Sequence, residues 1–376
     1  MYQSLEADLR SLDDAGRRRS LQPRAGVDFT SNDYLGLAES DELRQAAADA
    51  IARGVPIGAG GSRLLRGNHD EHEALEAEAA DYFGAESALY LGGGFGANHA
   101  IFATLPQRGD LVLYDELIHA SVHEGMRRGR AACESVPHND VDAFDARLRQ
   151  WRAGGARGRA WISIESVYSM DGDSAPIADF LAVADRHDAI LVIDEAHATG
   201  VVGPEGRGLA AAFEGRPNVI TLHTCGKALG TMGGFVLGPR IVRDFLVNRA
   251  RPFIFATAPS PLIAAVTRAA LTISRTRPER RQRLAALVAF ADRELKQRCG
   301  ITSSGSHILP IIVGANRTAV ALAASLQRRG FDVRAIRPPT VPEGTARLRI
   351  ALSANLSEQV VGALIDGLAE DMRAAG

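Results

Sequence analysis

The sequence predicts an α/β fold: a mostly parallel central sheet covered by helices, followed by a smaller C-terminal α+β region. Three observations carry this. First, six apolar runs of strand length, at 88–91, 111–114, 160–164, 190–193, 219–222 and 234–237, alternate with helical stretches. Second, these runs are almost continuously apolar instead of alternating with polar residues, as strands buried on both faces are. Third, the pattern shifts after about residue 241, where longer helical stretches mix with shorter strand-like segments. With 376 residues, 46% of them hydrophobic, the chain is long enough to enclose a sizeable core.

The elements follow in order. Leu5, Leu9 and Leu12 recur at helical spacing and predict a first helix. Phe29 and Thr30 read as a short strand running into the turn-forming Ser31, Asn32 and Asp33. A helix is expected over 41–53, with Asp41 as its N-cap. Gly58, Gly60 and Gly61 make a glycine-rich loop, but no Gly-Lys-Ser/Thr closes it as a phosphate loop, and no strand of normal length leads into it as a dinucleotide fingerprint. His69 and His72, three apart, make half a metal site at most, and the polar start of a helix is the simpler reading. Residues 251–259 read as a Pro-bounded connector. Further helices are expected over 261–275, 278–298, 317–329 and 357–373, and strands over 308–313, 333–336 and 346–352. The chain then divides into an N-terminal segment (1–50), a large α/β domain (51–240), a connecting helical segment (241–280) and a small α+β domain (281–376).

Composition excludes several functions. The formal charge is −2, and no basic patch dominates, so nothing points to nucleic acid or to an anionic membrane surface. No apolar run reaches membrane-spanning length. Cys133, Cys225 and Cys299 are an odd, sparse set without metal-ligand spacing, which argues against a disulfide framework or structural zinc and fits a reducing cytoplasm. The start Met1-Tyr2-Gln3-Ser4 has no basic region followed by an apolar one, so no signal peptide is expected.

In sheets of this class ligands sit at the carboxyl ends of the strands. Five of those ends carry reactive residue types. The first leads into Gly92-Gly93-Gly94-Phe95-Gly96, where a helix is expected to begin and its glycine-exposed N–H groups suit phosphate. The next four lead into Asp115 to His119, Glu165 to Asp173, Asp194-Glu195-Ala196-His197, and His223 to Lys227. Of 43 lysines and arginines only two are lysine, Lys227 and Lys296. Arginine can replace lysine as a surface charge but not as an amine nucleophile. Lys296 lies in a charged stretch of an amphipathic helix. Lys227, in Gly226-Lys227-Ala228-Leu229-Gly230, reads from its own stretch either as a Schiff-base former or as a solvated loop lysine. Asp194-Glu195-Ala196-His197 reads as the magnesium-binding box of a helicase-type ATPase or as a carboxylate facing a ring nitrogen. The ATPase reading lacks its upstream phosphate loop. Asp194 and Lys227 on successive strand ends are far more specific together than apart.

These residues, with Ser31-Asn32-Asp33-Tyr34-Leu35-Gly36, Gly60-Gly61-Ser62-Arg63, Ser169-Met170-Asp171-Gly172-Asp173 and Arg347-Leu348-Arg349-Ile350, give a sequence that resembles the α-oxoamine synthases, fold-type I enzymes dependent on pyridoxal 5'-phosphate. The resemblance covers nearly the whole chain. It implies that Lys227 binds the cofactor as an imine, that Asp194 pairs the pyridinium nitrogen, and that His197 and Ser169 reach the phenolic oxygen. It implies that His119 stacks on the ring and contacts substrate, that Gly94, Phe95 and Thr224 hold the phosphate, and that Thr257 reaches the phosphate in a partner subunit. Arg349 matches the arginine that binds the amino acid carboxylate. Arg17, Asn32 and Thr340 match residues near the acyl substrate. Arg337-Pro338-Pro339-Thr340-Val341-Pro342 resembles the branch that condenses L-alanine with a pimeloyl thioester, with release of CO2 and the carrier thiol, in biotin biosynthesis. Coenzyme A and acyl carrier protein both stay open as the carrier, and glycine, serine or another acyl chain remain alternatives. The family further implies a homodimer with sites at its interface. No metal is expected. Cys225 and Tyr168 are small departures, Tyr168 standing where phenylalanine is common.

Overall fold

A computed structural model describes residues 2–375; Met1 and Gly376, the ends of the first and last stretches read above, lie outside the described residues. The chain forms two compact units. The larger comprises Leu35–Ser169 and Ser174–Arg281, and the smaller comprises the stretch ending at Tyr34, Met170–Asp173 and the stretch from Gln282 onward. The unit boundaries thus divide the N-terminal 1–50 stretch at Tyr34 and keep 241–281 with the larger unit. Among the described residues no helix is long and apolar enough to cross a membrane.

The chain opens with α1 (Gln3–Asp14) and the two-residue β1 (Val27–Asp28). The apolar stripe of α1 is exposed: none of its residues is buried. The larger unit begins with α2 (Asp41–Ala52) and α3 (Asp70–Phe83). The cap of α2 is Ser40, not Asp41: the Ser40 hydroxyl accepts from Leu43 N–H at 3.3 Å while its backbone stays extended. His69 caps α3, its Nδ1 accepting from Glu71 N–H, and His72 Nδ1 accepts from His69 N–H, which is the polar helix start read from the sequence.

Alternating strands and helices follow: β2 (Ser87–Leu91), α4 (Gly94–Thr104), β3 (Leu111–Asp115), α5 (Ala120–Arg128), β4 (Ala132–Val136), α6 (Val141–Ala153), β5 (Ala160–Glu165), α7 (Ile177–Arg186), β6 (Ala189–Asp194), β7 (Val219–Thr224) and β8 (Gly234–Gly238). They build one seven-stranded sheet in the order β2-β8-β7-β6-β5-β3-β4. Strands β7, β6, β5, β3 and β4 run parallel, and β8 runs antiparallel to both neighbours. Neighbouring residues of one strand enter opposite cores. Leu111, Leu113, Ile162, Ile164, Leu191 and Ile193 pack with Phe144 and Phe180 on one face. Val112, Trp161, Val192, Ile220 and Leu222 pack with Ile101 and Phe102 on the other. Both faces being covered, the strands carry apolar residues on both sides instead of alternating with polar ones. The unit is completed by α8 (Arg240–Arg249), α9 (Arg251–Ile254) and α10 (Pro261–Thr276). The expected connector at 251–259 therefore contains one helical turn, with Pro252 in its first turn, where a missing N–H costs nothing.

Helix α11 (Glu279–Cys299) leads into the rest of the smaller unit: β9 (Ile308–Gly314), α12 (Asn316–Arg328), β10 (Phe331–Asp332), β11 (Arg334–Ile336), β12 (Ala346–Ala351) and α13 (Glu358–Ala375). There β12 is the middle of an antiparallel sheet, and β1 pairs with β10 in parallel.

Candidate active site

The parallel strands of the larger unit end together, and a pocket of about 120 Å³ lies at those ends. Its lining includes Gly94, Phe95, His119, Asp194, His197, Thr224 and Lys227, seven of the residues singled out from the sequence. Each is delivered by an element end. Asp194 is the last residue of β6 and Thr224 the last of β7. His119 caps α5, its Nδ1 accepting from Ser121 N–H at 3.2 Å. Gly94 and Phe95 are the first residues of α4, whose cap Gly93 supplies no side chain. The first N–H groups of a helix have no partner within it, so this end is disposed toward an anion. Its place against the sheet depends on Gly234, where a Cβ would come within 2.8 Å of Gly94 N.

Lys227 Nζ lies 2.6 Å from His197 Nε2, so the amine projects into the pocket beside an imidazole. Asp194 is held on both oxygens: Oδ1 accepts from Ala196 N–H at 2.9 Å, and Oδ2 from Asn98 Nδ2 at 2.7 Å. Asn98 Nδ2 also donates to Ser121 Oγ at 2.9 Å, and Ser121 Oγ lies 2.7 Å from His119 Nδ1. A continuous polar chain therefore runs from His119 through Ser121 and Asn98 to Asp194. Burial pushes the His119 imidazole below the usual histidine range, Asp194 acting against that shift and Lys227 with it.

The other site residues lie elsewhere. Ser169 is buried beyond the end of β5, and its N–H donates to Glu165 Oε2 at 3.0 Å. Thr257 is exposed between α9 and α10. Arg17, Asn32, Thr340 and Arg349 belong to the smaller unit. Within it, Arg349 is buried and its Nη2 donates to Tyr34 Oη at 3.2 Å, while Tyr34 Oη donates to Asn32 Oδ1 at 2.8 Å. Arg17 pairs with Glu343, and Arg19 Nη2 donates to Thr340 Oγ1 at 3.1 Å. Cys225 is buried and does not line the pocket.

Three polar pocket residues carry no role in the sequence reading: Asn98, Ser121 and Glu165. Glu165 was visible at a strand end, but a carboxylate there has no single meaning. Asn98 and Ser121 sit one turn inside or just past a helix start, where polar residues are common and carry no signal.

The groups fit pyridoxal phosphate one by one. A fixed carboxylate suits a pyridinium nitrogen, a lysine amine suits an aldehyde, and a helix start with the Thr224 hydroxyl beside it suits a phosphate. Asn98 Oδ1 and Glu165 Oε1 are buried without a hydrogen-bond partner among the described residues, as expected of a pocket arranged around a polar guest.

The Aminotransferase class I and II family model matches residues 24–368. The chain is 44% identical over 364 residues to the 8-amino-7-oxononanoate synthase of Anaeromyxobacter dehalogenans, covering 93% of this chain and 90% of that one. It is 43% identical to the protein of the same name from Methylobacterium nodulans, covering 99% and 97%. Among solved structures it is similar to serine palmitoyltransferase from S. paucimobilis with bound pyridoxal phosphate–myriocin aldimine, at a TM-score of 0.90 and 27% identity over 100% and 98% of the two chains. It is also similar to 8-amino-7-oxononanoate synthase from Francisella tularensis, at a TM-score of 0.79 and 25% identity over 93% and 98%.

Proposed function

We propose for this chain, which belongs to the aminotransferase class I and II family, the pyridoxal-phosphate-dependent condensation of L-alanine with a pimeloyl thioester, giving 8-amino-7-oxononanoate in biotin biosynthesis. The observation that carries this is identity of 42–44% to several 8-amino-7-oxononanoate synthases over more than nine-tenths of the chain, against 27% to serine palmitoyltransferase. The bond changes are these. Alanine Cα loses its proton and joins the acyl carbon, the C–S bond breaks and the carrier leaves as thiol, the α-carboxyl leaves as CO2, and Cα regains a proton.

When bound, pyridoxal phosphate withdraws electrons from the amino acid Cα and so makes that carbon acidic. The chain's own groups do the rest. Lys227 would offer the amine that anchors the aldehyde and, as a free amine, would serve as the base for the Cα proton. Asp194, fixed by Asn98 and Ala196, would face the ring nitrogen. His197 would orient the amine through its 2.6 Å contact and share the phenolic oxygen with Ser169. His119, neutral at working pH because of its burial, would stack on the ring and offer an N–H to the thioester oxygen. Gly94, Phe95 and Thr224 would hold the phosphate. In the smaller unit, Arg349 would take the amino acid carboxylate as a bidentate partner, with Arg17, Asn32 and Thr340 toward the acyl chain. Thr257, exposed in one chain, would complete the phosphate site of a second copy in a cytoplasmic homodimer. The exposed Phe255, two residues before Thr257, supports that assembly, since a large apolar side chain left open on one copy is stabilised by burial against another.

The 0.90 TM-score to serine palmitoyltransferase favours a second reading, serine with a longer acyl chain. A panel decides between them: CO2 release is measured with alanine, glycine and serine against pimeloyl and palmitoyl thioesters. Alanine with the pimeloyl thioester is expected to give the highest kcat/KM, and preference for serine with palmitoyl would overturn the proposal.

A further inference from the structure

Glu165 ends β5, and its Cα is paired in register with Asp194 at the end of β6. Two carboxyl groups therefore emerge side by side and line one pocket. They are treated differently by their surroundings. Asp194 has a donor on each oxygen, as a carboxylate requires. Glu165 is only 2% exposed and has one donor, the Ser169 N–H on Oε2. Its Oε1 is buried without a hydrogen-bond partner among the described residues. Two adjacent carboxyls in a dry site cannot both ionise without a large repulsion, and the one with fewer donors keeps its proton. A neutral acid has an O–H that needs an acceptor, and the described residues provide none at Oε1.

We propose that Glu165 is a neutral carboxylic acid whose Oε1–H donates a hydrogen bond to an anionic oxygen of the molecule bound in the pocket, and so positions that molecule. Burial, and next the Asp194 charge, hold the Glu165 carboxyl well above the usual carboxylate range. Lys227 and the Ser169 amide act the other way, and Asp115 adds to the rise. The inference rests on the reading above only for the identity of the oxygen, which is either the phenolate of pyridoxal phosphate or the carboxylate of alanine. The protonation state is independent of it.

The test uses the full chain with and without cofactor. Isotope-edited infrared spectra at pH 8 are recorded for the apoprotein, for protein with pyridoxal phosphate, and for protein with pyridoxal phosphate and alanine, each against E165Q. The expected result is a protonated-carboxyl carbonyl band in the apoprotein that is missing in E165Q. It shifts to lower frequency on adding pyridoxal phosphate if the acceptor is the phenolate, or only on adding alanine if it is the substrate carboxylate. No such band at pH 8, or a band unmoved by both additions, overturns the proposal. E165A should bind whichever ligand moved the band about tenfold more weakly than E165Q, the scale of one hydrogen bond to a charged group; equal affinities overturn it. Thermal unfolding of the apoproteins gives a readout that needs no ligand. The native state holds a proton that the unfolded chain releases in the ordinary carboxylate range. Wild type should therefore lose stability relative to E165Q as pH rises above about 4.5 and until Glu165 itself ionises. A gap that does not change with pH overturns the neutral acid. A failed alanine panel with these signatures intact removes the substrate reading and leaves the acid in place.

Discussion

Lys227 and Asp194 act on different parts of the same guest, so their losses should look different. K227A removes the only amine at the strand ends and should abolish both the visible imine absorbance and turnover; an imine band surviving in K227A would refute Lys227 as the anchor. D194N keeps the side chain's size and one acceptor oxygen, so one of the two donors, Ala196 N–H or Asn98 Nδ2, still has a partner there. The imine should therefore form while kcat falls by about a hundredfold or more, the scale of losing a charge aimed at the reacting system. His119 adds a pH prediction. Its lowered affinity for protons means that it is neutral above its folded value and becomes charged only as pH falls through that value. An acid limb due to His119 in kcat/KM should lie below about pH 6.5, the ordinary histidine value, and should disappear in H119N. A limb above that value, or one unchanged in H119N, would contradict the assignment.

At the scale of elements, the phosphate end of the site is a packing problem. Helix α4 can start at Gly94 only because β8 passes beside it with no side chain at Gly234. Gly234→Ala would drive a methyl into the Gly93–Gly94 backbone, which cannot swing away as a flexible side chain would. Overpacking of this kind costs about 1–3 kcal/mol. Here the backbone that must move is also the proposed phosphate cradle. Pyridoxal phosphate should therefore dissociate measurably faster from G234A, as followed by absorbance after gel filtration, and unchanged retention would count against the cradle.

The same elements show what was legible beforehand. The six doubly buried strands announced themselves because both of their faces call for apolar residues. Strand β4, Ala132–Val136, did not: it lies at one edge of the sheet, only Val136 is buried, and Glu134 and Ser135 break the run. The antiparallel direction of β8 has no compositional mark at all. Ser40 displaced Asp41 as the cap of α2 because both are good caps in adjacent positions, and backbone angle decides between them. In the pocket, Asp194 and Lys227 were readable as a pair on successive strand ends. Asn98 and Ser121 were not, because their importance lies in whom they bond, which only the packing of α4 and α5 reveals.

For the whole molecule, the decisive question is whether one copy of the chain holds a complete site. Lys227 lines the pocket of its own chain, whereas Thr257 is exposed on the short segment before α10. Phe255 two residues earlier is also open to solvent, at 70% exposure, a poor state for a large aromatic unless another surface covers it. A second copy related by twofold symmetry would cover both residues and bring Thr257 to the other chain's phosphate. Sedimentation should accordingly give twice the 40.0 kDa of one chain. Phe255→Asp should shift the protein toward monomer with loss of cofactor. Mixing then tests shared sites directly. K227A has no anchor, and T257A lacks one phosphate contact in the site it serves. If T257A alone is strongly impaired, dissociating and reassociating equal amounts of K227A and T257A makes dimers in which one site carries both lesions and the other neither. Random pairing gives about a quarter of wild-type activity. If instead Thr257 serves its own chain's pocket, each mixed dimer has one lesion per site, and activity stays near the average of the two parents.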